Sequence, residues 1–232
     1  MEIPEILSTI DYEGYVSYMI FTPGCNLRCP YCHNPELLDM EVDNSIWFEH
    51  IKRIEKNPLI DAVVITGGEP TLHHMLLNVI PMIRDMGIPV KLDTNGLGRY
   101  FCQLIKLADY VAMDIKSDRL GYARYLSVPP KMVTELFSKR MDNLVKYAND
   151  FEFRITCAYP LINFDAIINI GEHLEKLKKK HKRDIRVFLQ QVRLENVLNP
   201  DGFTPIAVED IYDYAEVLES FGLDVSCRVE GN

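Results

Sequence analysis

Apolar residues along the chain fall into short continuous runs, separated by longer stretches in which they recur every three or four positions. The first pattern is that of buried strands and the second that of helices with one inward face. Tyr15–Phe21, Asp61–Thr66, Pro89–Asp93, Tyr110–Ile115, Glu152–Cys157 and Ile185–Gln190 read as strands, with Leu223–Val229 as a short closing one. Ile46–Glu55 (capped by Asn44 or Ser45), Leu72–Met86 (ended by Gly87), Tyr100–Ala108, Val133–Tyr147, Ala166–Lys180 and Val208–Phe221 read as helices. Strands alternating with helices imply right-handed crossovers and an α/β fold with a parallel sheet. Six such repeats fall short of an eight-fold closed barrel; a partial (β/α)6 barrel and a doubly wound sheet both fit. No linker rich in Gly, Ser or Pro divides the chain, so one domain over residues 1–232 is expected.

Composition narrows the function classes. Of 232 residues, 47% are apolar and 25% charged, an ordinary globular balance that excludes wholesale disorder. Acidic residues outnumber basic ones 34 to 25, a net charge of −9 that argues against broad nucleic-acid binding. No apolar run approaches the ~20 residues of a membrane span, and Met1–Ile10 carries acids where a secretory leader is basic. A soluble, cytoplasmic protein is expected.

The six cysteines are unevenly spread: Cys25, Cys29 and Cys32 crowd together, while Cys102, Cys157 and Cys227 stand singly. The crowded three have the spacing C-x3-C-x2-C, inside a stretch that Pro23, Gly24, Pro30 and Asn34 mark as a loop. Such a loop can aim three thiolates at one centre. A [4Fe–4S] cluster held by three cysteines keeps one iron open to a ligand. A Cys3His zinc site with His33 is the alternative, and purely structural thiols a third. His33 directly follows Cys32, which points its ring away from the other three. The isolated cysteines read as buried apolar residues, so no second cluster is expected.

With an aromatic residue, Tyr31, before its third cysteine, the triplet resembles the signature of the radical S-adenosylmethionine enzymes. Gly67-Gly68-Glu69-Pro70 resembles that family's GGEP element, and Asp93-Thr94-Asn95-Gly96 and Asp114-Ile115-Lys116 follow at the ends of the next two strands. Asp11-Tyr12, Gly24-Cys25-Asn26 and Cys32-His33-Asn34-Pro35-Glu36 resemble the activating enzymes of glycyl-radical proteins, nearest to the activators of anaerobic ribonucleoside-triphosphate reductase. The likeness is strong over Ser8–Lys116 and weak beyond. It selects the partial (β/α)6 barrel of the radical S-adenosylmethionine type, with parallel strands and helices outside.

The resemblance implies one [4Fe–4S] cluster on Cys25, Cys29 and Cys32, with S-adenosylmethionine on its open iron. Carbonyls of Gly67 and Gly68, with Glu69, would face the ligand's ammonium. Asp114 would hold the ribose or order its neighbours, and Lys116 would reach the carboxylate. Asp93 and Asn95 are further contacts, with an Asn-Gly turn as the plain alternative. Relatives place a histidine at the end of the sixth strand, where this chain has Gln190-Gln191; Gln190 is taken as the contact. Arg154 either enters the site or lies on the surface. The implied partner is a glycyl-radical enzyme, expected to be anaerobic ribonucleotide reductase, with a flavodoxin or ferredoxin as electron donor. The alternative substrate is a small molecule or a tRNA base.

Other features carry plainer readings. The basic run Lys176–Arg183 is expected to be a solvated helix end, where cations suit the helix dipole. Trp47, Met75, Met82 and Met86 are expected in the core. Ser117–Pro130, polar and Tyr-rich, is a candidate docking segment.

Overall fold

In the computed structural model, which describes residues 6–41, 43 and 45–229, the apolar runs pair as strands and the periodic stretches coil as helices. The chain divides into two units. The first holds the residues up to Asn26, Glu36–Ala112 and Ala148–Asp150; the second holds Leu27–Pro35, Met113–Tyr147 and the residues from Phe151 on.

The first unit is built from β1 (Leu7–Ser8), β2 (Ser17–Thr22), α1 (Ser45–Lys56), β3 (Ala62–Gly67), α2 (Leu76–Asp85), β4 (Val90–Thr94), α3 (Phe101–Leu104) and the first residues of β5 (Tyr110–Asp114). β1 lies antiparallel to β2, whereas β2, β3 and β4 are parallel, with Ile20 opposite Ile65 and Val64 opposite Lys91. Parallel strands covered by helices are apolar throughout, and Ile20, Val63, Val64, Ile65 and Leu92 are fully buried. α1 turns Trp47, Ile51 and Ile54 inward, and α2 turns Leu76, Val79, Ile80 and Ile83 inward, the helical spacing that the sequence carries.

Three details differ from the sequence reading. The helix expected from Leu72 starts at Leu76, because Pro70–Leu72 form a separate 3-10 turn capped by the Glu69 side chain. Ser45 opens α1, its N–H donating to the Asp43 carboxylate at 3.0 Å; Asn44 lies outside the described residues. Met82 is exposed and Met75 and Met86 are half-buried, so of the four residues assigned to the core only Trp47 is fully enclosed.

The second unit takes in α4 (Arg119–Tyr125), α5 (Pro130–Glu135), α6 (Met141–Tyr147), nearly all of β6 (Asp150–Tyr159), α7 (Phe164–His181), β7 (Arg186–Gln191), β8 (Thr204–Pro205), α8 (Val208–Ser220) and β9 (Asp224–Arg228). β6, β7 and β9 run parallel, with Ile155, Leu189 and Cys227 in one register line; β8 adds antiparallel to the end of β6. α4 falls in the stretch read as irregular. Its Gly121 weakens the helical signal, and the Asp118 carboxylate caps it by accepting from Gly121 N at 2.8 Å. The helix read as Val133–Tyr147 is interrupted by a wide π-helical turn at Leu136–Arg140. The basic run ends α7 as expected, and its charges are matched by acids: Lys176 with Glu172, Lys178 with Asp184, Lys179 with Glu175, and Lys180 and His181 with Asp142. Among the described residues, no helix is long and apolar enough to cross a membrane.

Candidate functional site

The cysteine loop leaves β2 at Thr22. In the first unit its opening residues are tied at successive carbonyls. Thr22 O accepts from Gly68 N at 2.7 Å, Pro23 O from His73 Nε2 at 2.7 Å, and Gly24 O from Glu69 N at 2.8 Å. Two amides are held as well: Gly24 N donates to Leu37 O at 2.7 Å and Cys25 N to Leu38 O at 3.2 Å. The Gly-Gly pair is needed for this approach. Gly67 has φ +102°, and a Cβ there would stand 2.6 Å from Thr22 N. A Cβ on Gly68 would overlap the Gly24 carbonyl. The glycines thus admit the backbone of the cysteine loop itself.

Glu69 is buried, and its carboxylate accepts from Thr71 N at 2.9 Å, Thr94 Oγ1 at 2.6 Å, Asn95 N at 2.7 Å and the Thr71 hydroxyl. Burial raises its pKa, and the hydrogen bonds from Thr71, Thr94 and Asn95 only partly oppose that rise. Asn95 combines two roles. Its Oδ1 accepts from Leu97 N at 2.9 Å, the turn-forming use expected of Asn-Gly, while its Nδ2 donates to Asn26 Oδ1 at 2.9 Å and lies 3.9 Å from Cys25 Sγ. Cys25, Gly67, Gly68, Glu69 and Asn95 therefore form one connected group. Asp93 is buried on the same strand, 4.0 Å from Lys91 Nζ.

In the second unit, Cys29 and Cys32 belong to a turn closed by Cys32 N donating to Cys29 O at 3.0 Å. The connection between β7 and α8 holds this turn through backbone alone: Leu198 N donates to Cys32 O at 3.1 Å and Asn199 N to Pro30 O at 3.0 Å. At the end of β5, Asp114 joins two cations, Lys116 Nζ at 2.9 Å and Arg154 Nε at 2.9 Å. Arg154 is therefore half-buried within a charge cluster and not on the open surface. Burial pushes the Asp114 pKa up, but Arg154 and Lys116 pull it down by more, leaving it below the usual carboxylate value. Burial disfavours the Lys116 charge; Asp114 and then the Cys29 sulfur outweigh it, so its pKa is raised. Lys116 also lies over the Tyr31 ring, 5.8 Å from its centroid. Tyr31 is buried, and its hydroxyl has no hydrogen-bond partner among the described residues.

Gln190 is half-buried on β7, opposite Thr156 and Arg228, and its side-chain amide makes no hydrogen bond among the described residues; the neighbouring Gln191 donates to Ile206 O at 3.0 Å. His33 is exposed. Cys157 is buried, with its thiol pKa pushed up to about 12 by burial and then by Cys227, but Cys102 and Cys227 are only half-buried. Sequence reasoning missed His73 and the Leu198–Asn199 backbone. His73 was hidden inside an apparent helix, and a backbone contact leaves no residue-type signal.

The structure carries no ligands, so the donors themselves must be judged against a cluster. Cys25, Cys29 and Cys32 are not joined in disulfides, and each is half-buried on irregular chain. Among the described residues, no three His, Cys, Asp or Glu side chains are grouped as a single-ion site. A four-iron cube makes a different demand, one thiolate for each ligated iron, and the thiols of Cys25, Cys29 and Cys32 are donors of that chemistry.

Residues 19–127 match the radical SAM superfamily. A Methanocaldococcus jannaschii protein, provisionally named a glycyl-radical enzyme activating enzyme, is 41% identical over 114 residues, covering 47% of this chain and 47% of that protein. The chain spans about half the length of that relative. A pyruvate formate-lyase-activating enzyme of Clostridium pasteurianum is 25% identical over 192 residues, covering 75% of this chain and 77% of the relative. Among solved structures, a radical SAM methyltransferase from Sphaerobacter thermophilus superposes with a TM-score of 0.65 at 15% identity, covering 95% of this chain and 68% of that one. The fold is thus the α/β fold of such proteins, and residues 19–127 are the part of the chain that carries the likeness to the radical SAM superfamily.

Proposed function

We propose that this chain is a cytoplasmic activating enzyme for a glycyl-radical protein, with Cys25, Cys29 and Cys32 holding one [4Fe–4S] cluster that binds S-adenosylmethionine. The observation that carries the proposal is the convergence on Cys25 of the Gly67–Glu69 turn and Asn95, from the ends of two further strands. Ligands of parallel α/β folds bind at such strand ends. A cluster held there would supply the electron for reductive cleavage of bound S-adenosylmethionine.

The chain's own residues bind and orient. Gly67, Gly68, Glu69 and Asn95 fix the course of the loop through Cys25. Lys116, held by Asp114, presents positive charge to the ligand's carboxylate, and Asp93 adds a polar contact. Gln190 offers an amide to the nucleoside. The hydrogen donor is a glycine Cα of a partner, because glycine has no side chain to obstruct an approach of roughly 3–4 Å. Anaerobic ribonucleoside-triphosphate reductase is the partner favoured by the sequence around the cysteines; pyruvate formate-lyase is the candidate favoured by the relatives' names. A flavodoxin or ferredoxin would supply the electron.

Anaerobically reconstituted protein should bind about four irons per chain. It should cleave S-adenosylmethionine slowly alone and faster with its partner. Deuterium at the partner's glycine α-carbon should then appear in 5′-deoxyadenosine. Zinc in place of iron would overturn the cluster. Label arriving only from a metabolite or a tRNA would overturn the activase and keep the radical chemistry.

A further inference from the structure

Of the three successive carbonyls that lead to Cys25, those of Thr22 and Gly24 are held by backbone N–H groups. Only the middle one, Pro23 O, is held by a side chain, the His73 imidazole at 2.7 Å. Proline has no N–H, so this carbonyl is the one main-chain hydrogen-bonding group that Pro23 offers. An acceptor there requires a proton on Nε2. The ring is itself backed by Trp47, with centroids 5.6 Å apart, and Trp47 is buried on α1. The imidazole is thus a fixed strut between a helix and the loop.

We propose that His73 is a positioning residue for Cys25: by holding the Pro23 carbonyl it fixes the Gly24 peptide, and with it the direction in which the Cys25 sulfur projects. This role rests on the reading of Cys25 as a cluster ligand. With the Pro23 carbonyl released, the peptide before Gly24 keeps only its N–H contact to Leu37 O at 2.7 Å and can tilt about it, and Gly24, at φ +74°, has no Cβ to resist. The contact between Asn95 Nδ2 and Cys25 Sγ is lost with it. Partners that orient a ligand without touching the metal change metal affinity by roughly 10- to 100-fold when removed.

The test compares His73→Leu, which fills space without a donor, with His73→Gln, which restores an N–H. In full-length reconstituted protein, the Leu variant should lose iron to a chelator roughly 10-fold faster than wild type. It should also show an altered electron-spin spectrum of the reduced cluster upon adding S-adenosylmethionine, while the Gln variant approaches wild type in both. In apoprotein, iodoacetamide labelling of Cys25, mapped by peptide mass, should change in the Leu variant and recover in the Gln variant. Equal loss in both variants, tracking a lowered melting temperature, would assign His73 to packing against Trp47 and overturn the proposal. Wild-type iron retention and labelling in the Leu variant would overturn it too. If wild type binds no iron while Cys25 labelling still follows the Leu and Gln pattern, the positioning stands and the cluster reading fails.

Discussion

Two carboxylates, the buried Glu69 in the first unit and the half-buried Asp114 in the second, serve the cysteine loop by opposite physics. Glu69 is surrounded by neutral donors, two backbone amides and two hydroxyls, and its pKa is raised because these do not offset burial. Asp114 sits between two cations, and its pKa is lowered because they do. Neutral hydrogen bonds are short and directional, so Glu69 fixes shape: it ties the Gly-Gly turn to Asn95 and so to Cys25. Ion pairs act over longer distances, so the Asp114 cluster sets charge around Cys29. One end of the loop is held by geometry and the other sits in a field.

The contrast can be broken most severely at Glu69. Glu69→Ala leaves the amides of Thr71 and Asn95 buried without an acceptor, at about 1–3 kcal/mol each. Urea unfolding should show a loss of roughly 3 kcal/mol, with failure of iron uptake. Retained stability would mean that the turn holds itself.

The opposite pKa shifts sharpen the comparison through pH. Glu69 contributes stability that is complete below its ordinary value of 4.5 and is lost as pH rises through its raised folded value. Asp114 contributes stability that is complete above 3.8 and is lost as pH falls through its lowered folded value. Glu69→Gln should therefore flatten the decline of unfolding free energy above pH 4.5, and Asp114→Asn the decline below pH 3.8. Identical pH profiles for both variants would erase the distinction.

Lys116→Ala should change stability by only about 1–2 kcal/mol, since Asp114 keeps Arg154. Its signature lies in binding: S-adenosylmethionine affinity should fall roughly 10-fold or more with iron content intact. Calorimetry on the iron-loaded protein gives both quantities. The smallest effect belongs to the β7–α8 connection. Leu198→Pro removes one backbone donor to Cys32 and should cost about 1 kcal/mol, measured by thermal unfolding, whereas Leu198→Ala keeps the donor and should cost less.

Much of this was legible in the sequence, and the reasons differ by region. β3 reads Ala-Val-Val-Ile, a run that has no stable place except a buried strand, and α7 carries the apolar spacing read over Ala166–Lys180, though its cap, the Asn163 side chain accepting from Ala166 N at 2.9 Å, went unread. The residues of the two site groups were also visible, because chemistry restricts residue type where strands end. Their division of labour was not. Glu69 as a cap leaves no mark in the letters, because only the positions of Thr71 and Thr94 show what its carboxylate accepts from. The π-helical turn at Leu136–Arg140 keeps a helical apolar pattern on both sides, so periodicity could not reveal it.

Gly67 and Gly68 close against the backbone of Thr22 and Gly24, atoms that every sequence of this length would carry there. Their side-chain-free state is therefore demanded by assembly of the chain before any reaction is asked of it. In a library screened only for folded protein, with no call on radical chemistry, those two positions should remain glycine while Lys116 accumulates substitutions. Drift in a lineage that had abandoned the activity would then erase the charged residues first and leave the glycine pair standing as its relic.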